Sequence, residues 1–313
     1  MQINTASSMF ILKVLEPLVL PPYKGSTLRG GFGYAFRRVV CAIKDKECKD
    51  CILKEKCVYS YVFETPPPLN TKIMRKYKTA PHPFVIEPPL EKRKIYKPNE
   101  EIQFVLILIG RSIDYLPYFI YTFDELGRIG IGKGKAKYEL KEVTCEGKTI
   151  YDFKSKILKP FKTHSLPLND DIIARSPDIN RGDVAISLSF LTPTRILYNG
   201  HLTLDLEFHI FIRNLQRRLS LLSYFHCNGD PSKLDFKGII EKAKGVKVKN
   251  HTLKWYDWER YSGRQETRIK MGGFVGDIMF EGDIKPFMPL IKAGEILHVG
   301  KGTAFGLGKY RIV

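Results

Sequence analysis

Cysteine and histidine are the two residue types here whose chemistry and spacing stand out. Cys41, Cys48, Cys51 and Cys57 form C-x6-C-x2-C-x5-C within a charged, loop-like stretch. The central C-x2-C is a usual zinc half-site, and two further thiolates nearby would complete a tetrahedron. An iron–sulfur cluster or disulfides would use the same residues, and free thiols are the plain alternative. The role in each case is structural, because four thiolates close a coordination sphere and leave no position for a catalytic water. A polar loop of this length buries little to offset the entropy of ordering it, so a cross-link is physically useful. Cys145 and Cys227 are isolated and read as ordinary small residues. The seven histidines offer proton transfer near neutral pH. His82 lies between prolines, His164 in a linker, and His201, His209 and His251 on element surfaces. His226 ends a basic helical pattern and His298 opens a glycine-rich run, so these two are the candidate acid–base residues, His226 first. A histidine at a helix end also serves as a cap or a packed polar residue.

Other residues are suited to holding a polyanion. The last twenty residues place Gly300, Gly302, Gly306 and Gly308 between an apolar run and a final Tyr-Arg-Ile-Val, with Lys301, Lys309 and Arg311 among them. A stretch with so few Cβ atoms lets backbone N–H groups approach a phosphate or another backbone. Nucleotide-cofactor loops need their glycines between a strand and a following helix, whereas these lead into a strand, so those two readings fail. Arg260, Arg264 and Arg268 interleave with Trp255, Tyr256, Trp258 and Tyr261, a pattern that can grip phosphates and stack bases or can equally be a half-buried strand. Upstream, Lys24, Arg29, Arg37, Arg38 and Tyr34 surround Gly30, Gly31 and Gly33 in a basic helix with a bare surface. Those glycines also suit close packing of the helix on its sheet.

The elements that must position these residues follow from periodicity. Residues 9–20 read as a buried strand ending at Pro21-Pro22. A helix follows, with Ser26 as N-cap and Leu28, Phe32, Phe36, Val39, Val40 and Ile43 as its apolar stripe. After a Cys-rich and Pro/Lys-rich insertion at about 41–100, a strand is expected over 102–109, a helix over 113–126 and a strand over 137–143. Gly132-Lys-Gly-Lys-Ala136 and Gly300-Lys-Gly-Thr-Ala304 match, and each precedes Lys-Tyr and a closing strand, which points to an internal duplication. The second half repeats the order: a strand over 183–190, a helix over 204–226 bearing Arg213, Arg217 and Arg218, strands over 251–260 and 268–280, and a short helix over 284–290. The expected class is α+β, with two tandem ferredoxin-like βαββαβ domains at 1–155 and 183–313, the first carrying the four-cysteine insert, joined by a linker at 156–182.

The chain has 313 residues, is 43% hydrophobic and carries a formal charge of +18, so it should fold and attract polyanions. No apolar run reaches about eighteen residues and the N-terminus has no basic leader pattern, so a cytoplasmic protein without a membrane association is expected.

Lys24-Gly-Ser-Thr-Leu-Arg-Gly-Gly-Phe-Gly33, the four-cysteine insert, Arg217 to Cys227, Trp258-Glu-Arg-Tyr-Ser-Gly-Arg-Gln265, Met271-Gly-Gly273 and Gly294 to Gly308 together resemble the RAMP superfamily of CRISPR-associated RNA-binding proteins. Within it the chain looks like the endoribonuclease that cuts precursor CRISPR RNA within repeats. The resemblance implies metal-independent attack of a ribose 2′-OH on the adjacent phosphate, leaving a 2′,3′-cyclic phosphate and a 5′-OH. It also implies single-stranded or hairpin repeat RNA as partner, with other effector subunits as further partners, and a monomer or homodimer. Many family members use a histidine after the first helix, but the first eighty residues here contain none. His226, His298, Tyr34 and Lys301 are therefore the catalytic candidates. Lys24, Arg29, Arg37, Arg38, Arg260, Arg264, Arg268, Gly300, Gly302, Gly306, Gly308 and Lys309 are the candidate RNA contacts. A non-catalytic guide-RNA-binding subunit of the same superfamily is the alternative.

Overall fold

The computed structural model describes residues 1–44, 46–68, 71, 79–168, 184–262 and 267–313. The basic run Lys72, Arg75, Lys76 and Lys78, the second part of the expected linker, and Arg264 lie outside the described residues. Two compact units emerge. One comprises Asn4–His164 with Phe225–Cys227, and the other Met1–Ile3, Ser165–Tyr224 and Asn228–Val313.

The N-terminal unit is built on β1 (Gln2–Val14), α1 (Gly25–Val40), β2 (Phe84–Glu87), β3 (Glu101–Ile109), α2 (Leu116–Ile129), β4 (Tyr138–Cys145) and β5 (Lys148–Asp152). Its antiparallel sheet runs β2-β3-β1-β4-β5, with Phe10 opposite both Phe104 and Val143. The first four strands of that path give the ferredoxin-like order, and β5 adds an edge strand that the sequence did not announce. The stripe on α1 buries Leu28, Phe32 and Phe36. Phe32 stacks on Phe119 of α2 at 4.7 Å and on Phe123 at 5.4 Å. Each fully buried Phe of this cluster contributes about 1.5–3 kcal/mol of burial. Val39, Val40 and Ile43 are only half-buried, because α1 stops at Val40 and the chain turns extended at Cys41. The N-cap is Lys24 rather than Ser26. Two glycines of α1 serve packing: a Cβ on Gly31 would stand 3.0 Å from Leu126, and one on Gly33 2.1 Å from the Phe63 ring.

The C-terminal unit contains β6 (Val184–Thr194), α3 (Phe208–Cys227, its last three residues counted with the other unit), α4 (Phe236–Ala243), β7 (Lys247–His251), β8 (Lys254–Tyr256), β9 (Glu259–Ser262), β10 (Thr267–Lys270), β11 (Gly273–Gly282), α5 (Met288–Leu297) and β12 (Tyr310–Ile312). The sheet runs β7-β11-β6-β12, again the ferredoxin-like order, while β9 and β10 form a separate hairpin. Phe211 of α3 packs on Phe190, Phe280 and Tyr310 to close the core. The strand expected over 251–260 is instead three short pieces. Gly276, at φ 120°, sits against the Thr252 carbonyl where the β11–β6 register shifts, and this bulge interrupts the edge pairing. The last helix is longer than expected, since its apolar face continues through Gly294 to Leu297.

The two units repeat one construction at the end of their second helices. Gly127 of α2 lies against Tyr138, whose hydroxyl donates to the Phe123 carbonyl at 2.8 Å. Gly294 of α5 lies against Tyr310, whose hydroxyl donates to the Ile291 carbonyl at 2.6 Å. Lys133 N–H donates to Val19 O at 3.1 Å, and Lys301 N–H to Arg195 O at 2.9 Å. Leu15 N–H reaches Lys137 O, and Leu191 N–H reaches Lys309 O. The repeated Gly-Lys-Gly therefore marks equivalent loops in equivalent folds. No helix among the described residues is long and apolar enough to cross a membrane.

Candidate nucleic-acid interface

In the C-terminal unit, α5 ends at His298 with φ 63°, and the loop that follows holds Gly300, Gly302, Gly306 and Gly308 at φ 82°, 78°, 79° and 75°. Side chains seldom adopt these angles, so the glycines set the path of the backbone. A Cβ on Gly300 would stand 2.5 Å from Arg195 O, and one on Gly308 1.8 Å from Val299 O. Gly302 faces Leu307 and Met271. These three glycines thus let the loop fold onto its own chain, one of the two uses the sequence allowed for them. Thr192 pins the result: its hydroxyl donates to Gly306 O at 2.8 Å and accepts from Lys309 N–H at 2.9 Å.

Cations surround the loop. Lys301 is exposed and Lys309 half-exposed. The Arg260 guanidinium lies 4.9 Å from the centre of the Phe305 ring, an arrangement that leaves a cation and an aromatic side by side. Burial pulls Arg260 below its ordinary pKa, and its Nε has no hydrogen-bond partner among the described residues. Arg195, which the sequence gave no reason to single out, carries the carbonyl that receives Lys301 N–H. Its Nη1 donates to Gly272 O at 2.8 Å, tying loop to hairpin. Beneath the loop, Arg218 is buried and donates from Nε to Leu297 O at 2.9 Å and His298 O at 3.1 Å. Burial brings its pKa down to about 9, so it stays charged at neutral pH and holds the negative end of α5. Arg268 is exposed on β10, and Trp255 is 39% exposed with its indole N–H on Asp257.

In the N-terminal unit, Tyr34 is 57% exposed on α1 and its hydroxyl accepts from Arg38 Nη1 at 3.1 Å. That hydrogen bond and the Arg38 charge, with Lys135 adding, hold the phenol below its ordinary range. Arg37 donates to Lys46 O at 3.1 Å and Arg29 pairs with His82 Nε2 at 3.1 Å over the Phe63 ring. Lys24, expected at the RNA surface, is fully buried, with Nζ donating to Glu91 O at 2.6 Å. The reason is that the chain beyond Pro88-Pro89 folds back over the start of α1 and covers it. Lys24 is therefore a buried structural cation.

Both favoured histidines lie inside. His226, 7% exposed, donates from Nε2 to Pro81 O at 2.7 Å, and Nδ1 stands 3.1 Å from Tyr61 Oη. A carbonyl accepts only, so the neutral ring carries its proton on Nε2 and accepts from Tyr61 at Nδ1. Arg111 in turn lies on the Tyr61 ring at 4.0 Å. His298 is fully buried and donates from Nδ1 to Leu307 O at 3.0 Å, bracing the loop. Both imidazoles are buried, whereas the side chains of Tyr34 and Lys301 are exposed.

None of the six cysteines forms a disulfide, and Cys41, Cys48, Cys51 and Cys57 are half-buried. Cys51 N–H donates to Cys48 O across the C-x2-C turn, and Cys41 Sγ donates to Ile43 O. Burial, then Glu64, raises the Cys48 thiol, with Cys57 and Cys41 adding. Among the described residues no group of three His, Cys, Asp or Glu side chains is placed to hold a metal ion.

The family model AF_1859_N, an N-terminal domain, matches residues 3–163, and that of the CRISPR-associated endoribonuclease Cas6 matches residues 188–310. An uncharacterized protein of Archaeoglobus fulgidus is 25% identical over 297 residues, 94% of this chain and 92% of its own. Among solved structures, a Thermus thermophilus Cas6 product complex is similar with a TM-score of 0.58 at 14% identity, covering 99% of this chain and 100% of that one. A partial Cas6-RT-Cas1–Cas2 complex gives 0.58 at 12% identity, covering 99% of this chain and 46% of that one. At such identities the likeness is one of fold, tandem ferredoxin-like domains.

Proposed function

The chain belongs to the family of the AF_1859_N N-terminal domain and bears a CRISPR-associated Cas6 endoribonuclease domain behind it, and from this premise we propose that it cleaves CRISPR precursor RNA within repeats without a metal. The observation that carries the reading is that the Cas6 match spans the glycine loop with Arg195, Arg260, Lys301 and Lys309 around it. RNA lies on that basic face, with Phe305 and Trp255 available to stack bases.

Cleavage by 2′-OH attack needs a base for the hydroxyl proton, positive charge for the phosphorane and a proton for the departing 5′-oxygen. Tyr34 is the group best suited to take the proton, since its phenol is exposed and held towards the phenolate by Arg38. Arg38, donating to the same oxygen, is suited to neutralise the phosphorane. His226 and His298 serve as positioning residues, one for the end of α3 and one for the loop. The burial of both histidines also favours a second reading, a non-catalytic guide-RNA-binding subunit.

Incubating the purified protein with end-labelled repeat RNA in excess EDTA tests the choice. A single cut bearing a 2′,3′-cyclic phosphate and a 5′-OH is the expected result. Tight binding without a cut selects the RNA-binding subunit. A structural zinc held by Cys41, Cys48, Cys51 and Cys57 is a separate proposal resting on their spacing and free thiols. Elemental analysis should find stoichiometric zinc after expression in zinc-supplemented medium, and its absence would remove the proposal.

A further inference from the structure

We propose that the loop Gly130–Ala136 of the N-terminal unit is a second RNA-binding loop, gripping phosphates with Lys133 and Lys135 beside Arg38. This inference rests on the RNA-binding reading above but not on cleavage.

Three observations carry it. First, the loop repeats the construction of the C-terminal one. Gly132 stands at φ 71° with its missing Cβ 2.4 Å from Val19 O, as Gly300 does at φ 82° against Arg195 O. Lys133 N–H donates to that Val19 carbonyl as Lys301 N–H donates to Arg195 O, and Tyr138 and Tyr310 anchor the strands that follow. Second, what the loop presents is cationic and open. Lys133, Gly134, Lys135 and Lys137 are all exposed, and a Cβ built on Gly134 meets nothing within 4 Å. Lys135 itself sits at φ 53°, an uncommon conformation for a lysine, in the turn that carries it into solvent. Third, the cations are not neutralised locally. Among the described residues no carboxylate forms an ion pair with Arg38, Lys133 or Lys135. Glu16 accepts from the backbone N–H of Lys137, just past the loop, at 3.0 Å. Lys135 is close enough to Tyr34 for its charge to bear on the phenol that Arg38 contacts.

A tight turn and three cations without carboxylate partners, beside an exposed tyrosine, suit a run of phosphodiesters in single-stranded RNA. Lysines here act as point charges, so the contact should be indifferent to base sequence.

The test compares binding of labelled repeat RNA, in EDTA and across a salt series, by wild type, K133E/K135E, K301E/K309E and the control K148E/K154E, which changes exposed charge equally. The expected result is a loss of about tenfold or more for K133E/K135E beyond the control, with a salt slope shallower by roughly 1.4, two phosphate contacts at about 0.7 each. A 4-thiouridine-substituted RNA should crosslink wild type within the loop as well as near Gly300–Gly308. Affinity no lower than the control, or adducts confined to the C-terminal loop while K301E/K309E loses binding, overturns the inference and leaves the RNA reading standing. Failure of the wild type to bind repeat RNA overturns both.

Discussion

At the scale of single residues the chain separates groups that can meet RNA from groups that only hold the fold. Tyr34 belongs to the first set. Its hydrogen bond from Arg38 and the two nearby cations favour the phenolate, so its titration lies lower than that of a free tyrosine. If Tyr34 takes the 2′-OH proton, cleavage under single-turnover conditions rises with pH through that lowered pKa and levels above it. Arg38→Gln keeps a donor but removes the charge, and the rising limb should move to higher pH. Tyr34→Phe should slow cleavage by about a hundredfold or more with affinity nearly unchanged. A pH–rate profile identical to wild type in Arg38→Gln would take Arg38 out of this role. His226 belongs to the second set. Its ring makes two hydrogen bonds in a site 7% exposed, and His226→Ala leaves Tyr61 and Pro81 without them. The expected loss is about 1–3 kcal/mol of stability, read by thermal unfolding, with cleavage retained at temperatures where the variant is folded. Loss of cleavage with unchanged unfolding would restore the ring to the chemistry. The sequence could place His226 at a helix end, yet not show that Pro81, far away in the chain, supplies its acceptor.

At the scale of elements, the glycine loops show how far a sequence pattern reaches. Their place before the closing strands was legible from Gly-Lys-Gly and Lys-Tyr, and so was the apolar stripe that makes α1 and α3. What each glycine is for was not: Gly300 closes on the carbonyl of Arg195, just past β6 and far earlier in the chain, while Gly308 closes on Val299 O at the start of its own loop. Gly308→Ala puts a methyl 1.8 Å from Val299 O at φ 75° and must break the loop's backbone pairing. Gly134→Ala meets only the conformational cost of its left-handed angle, roughly 1–2 kcal/mol. Unfolding measurements should therefore rank Gly308→Ala as clearly the more damaging, with RNA affinity falling alongside its stability. Equal, small losses would mean the loop can shift to accept a side chain. The broken edge of β7 and β8 was illegible for a related reason: Gly276 breaks the pairing from the neighbouring strand, so nothing in residues 251–260 announces it.

At the scale of the whole molecule the governing quantity is charge. An excess of 51 Lys and Arg over 33 Asp and Glu gives +18, and the cations named in both units, apart from the buried Lys24 and Arg218, stand on exposed or half-exposed surface rather than in tails. Most ion pairs seen among the described residues use partners more than a third exposed, where each contributes little. The excess charge therefore adds little to stability, and an attraction to polyanions is as far as the composition alone reached. Which cations meet the partner was not in the composition, since Lys24 is buried beneath the chain after Pro89 and Arg195 enters the site through a backbone contact. A polyanion bound by such a surface releases counterions in proportion to the phosphates engaged. With about six contacts on single-stranded RNA, the logarithm of the binding constant should fall with the logarithm of salt at a slope near −4. The slope should be the same for repeat and unrelated RNA of equal length if the glycine loops grip phosphates alone. A repeat-specific part of the affinity, carried by base stacking and hydrogen bonds, should survive at high salt. A slope near zero would mean that the excess charge faces water and that RNA, if bound, is held by its bases.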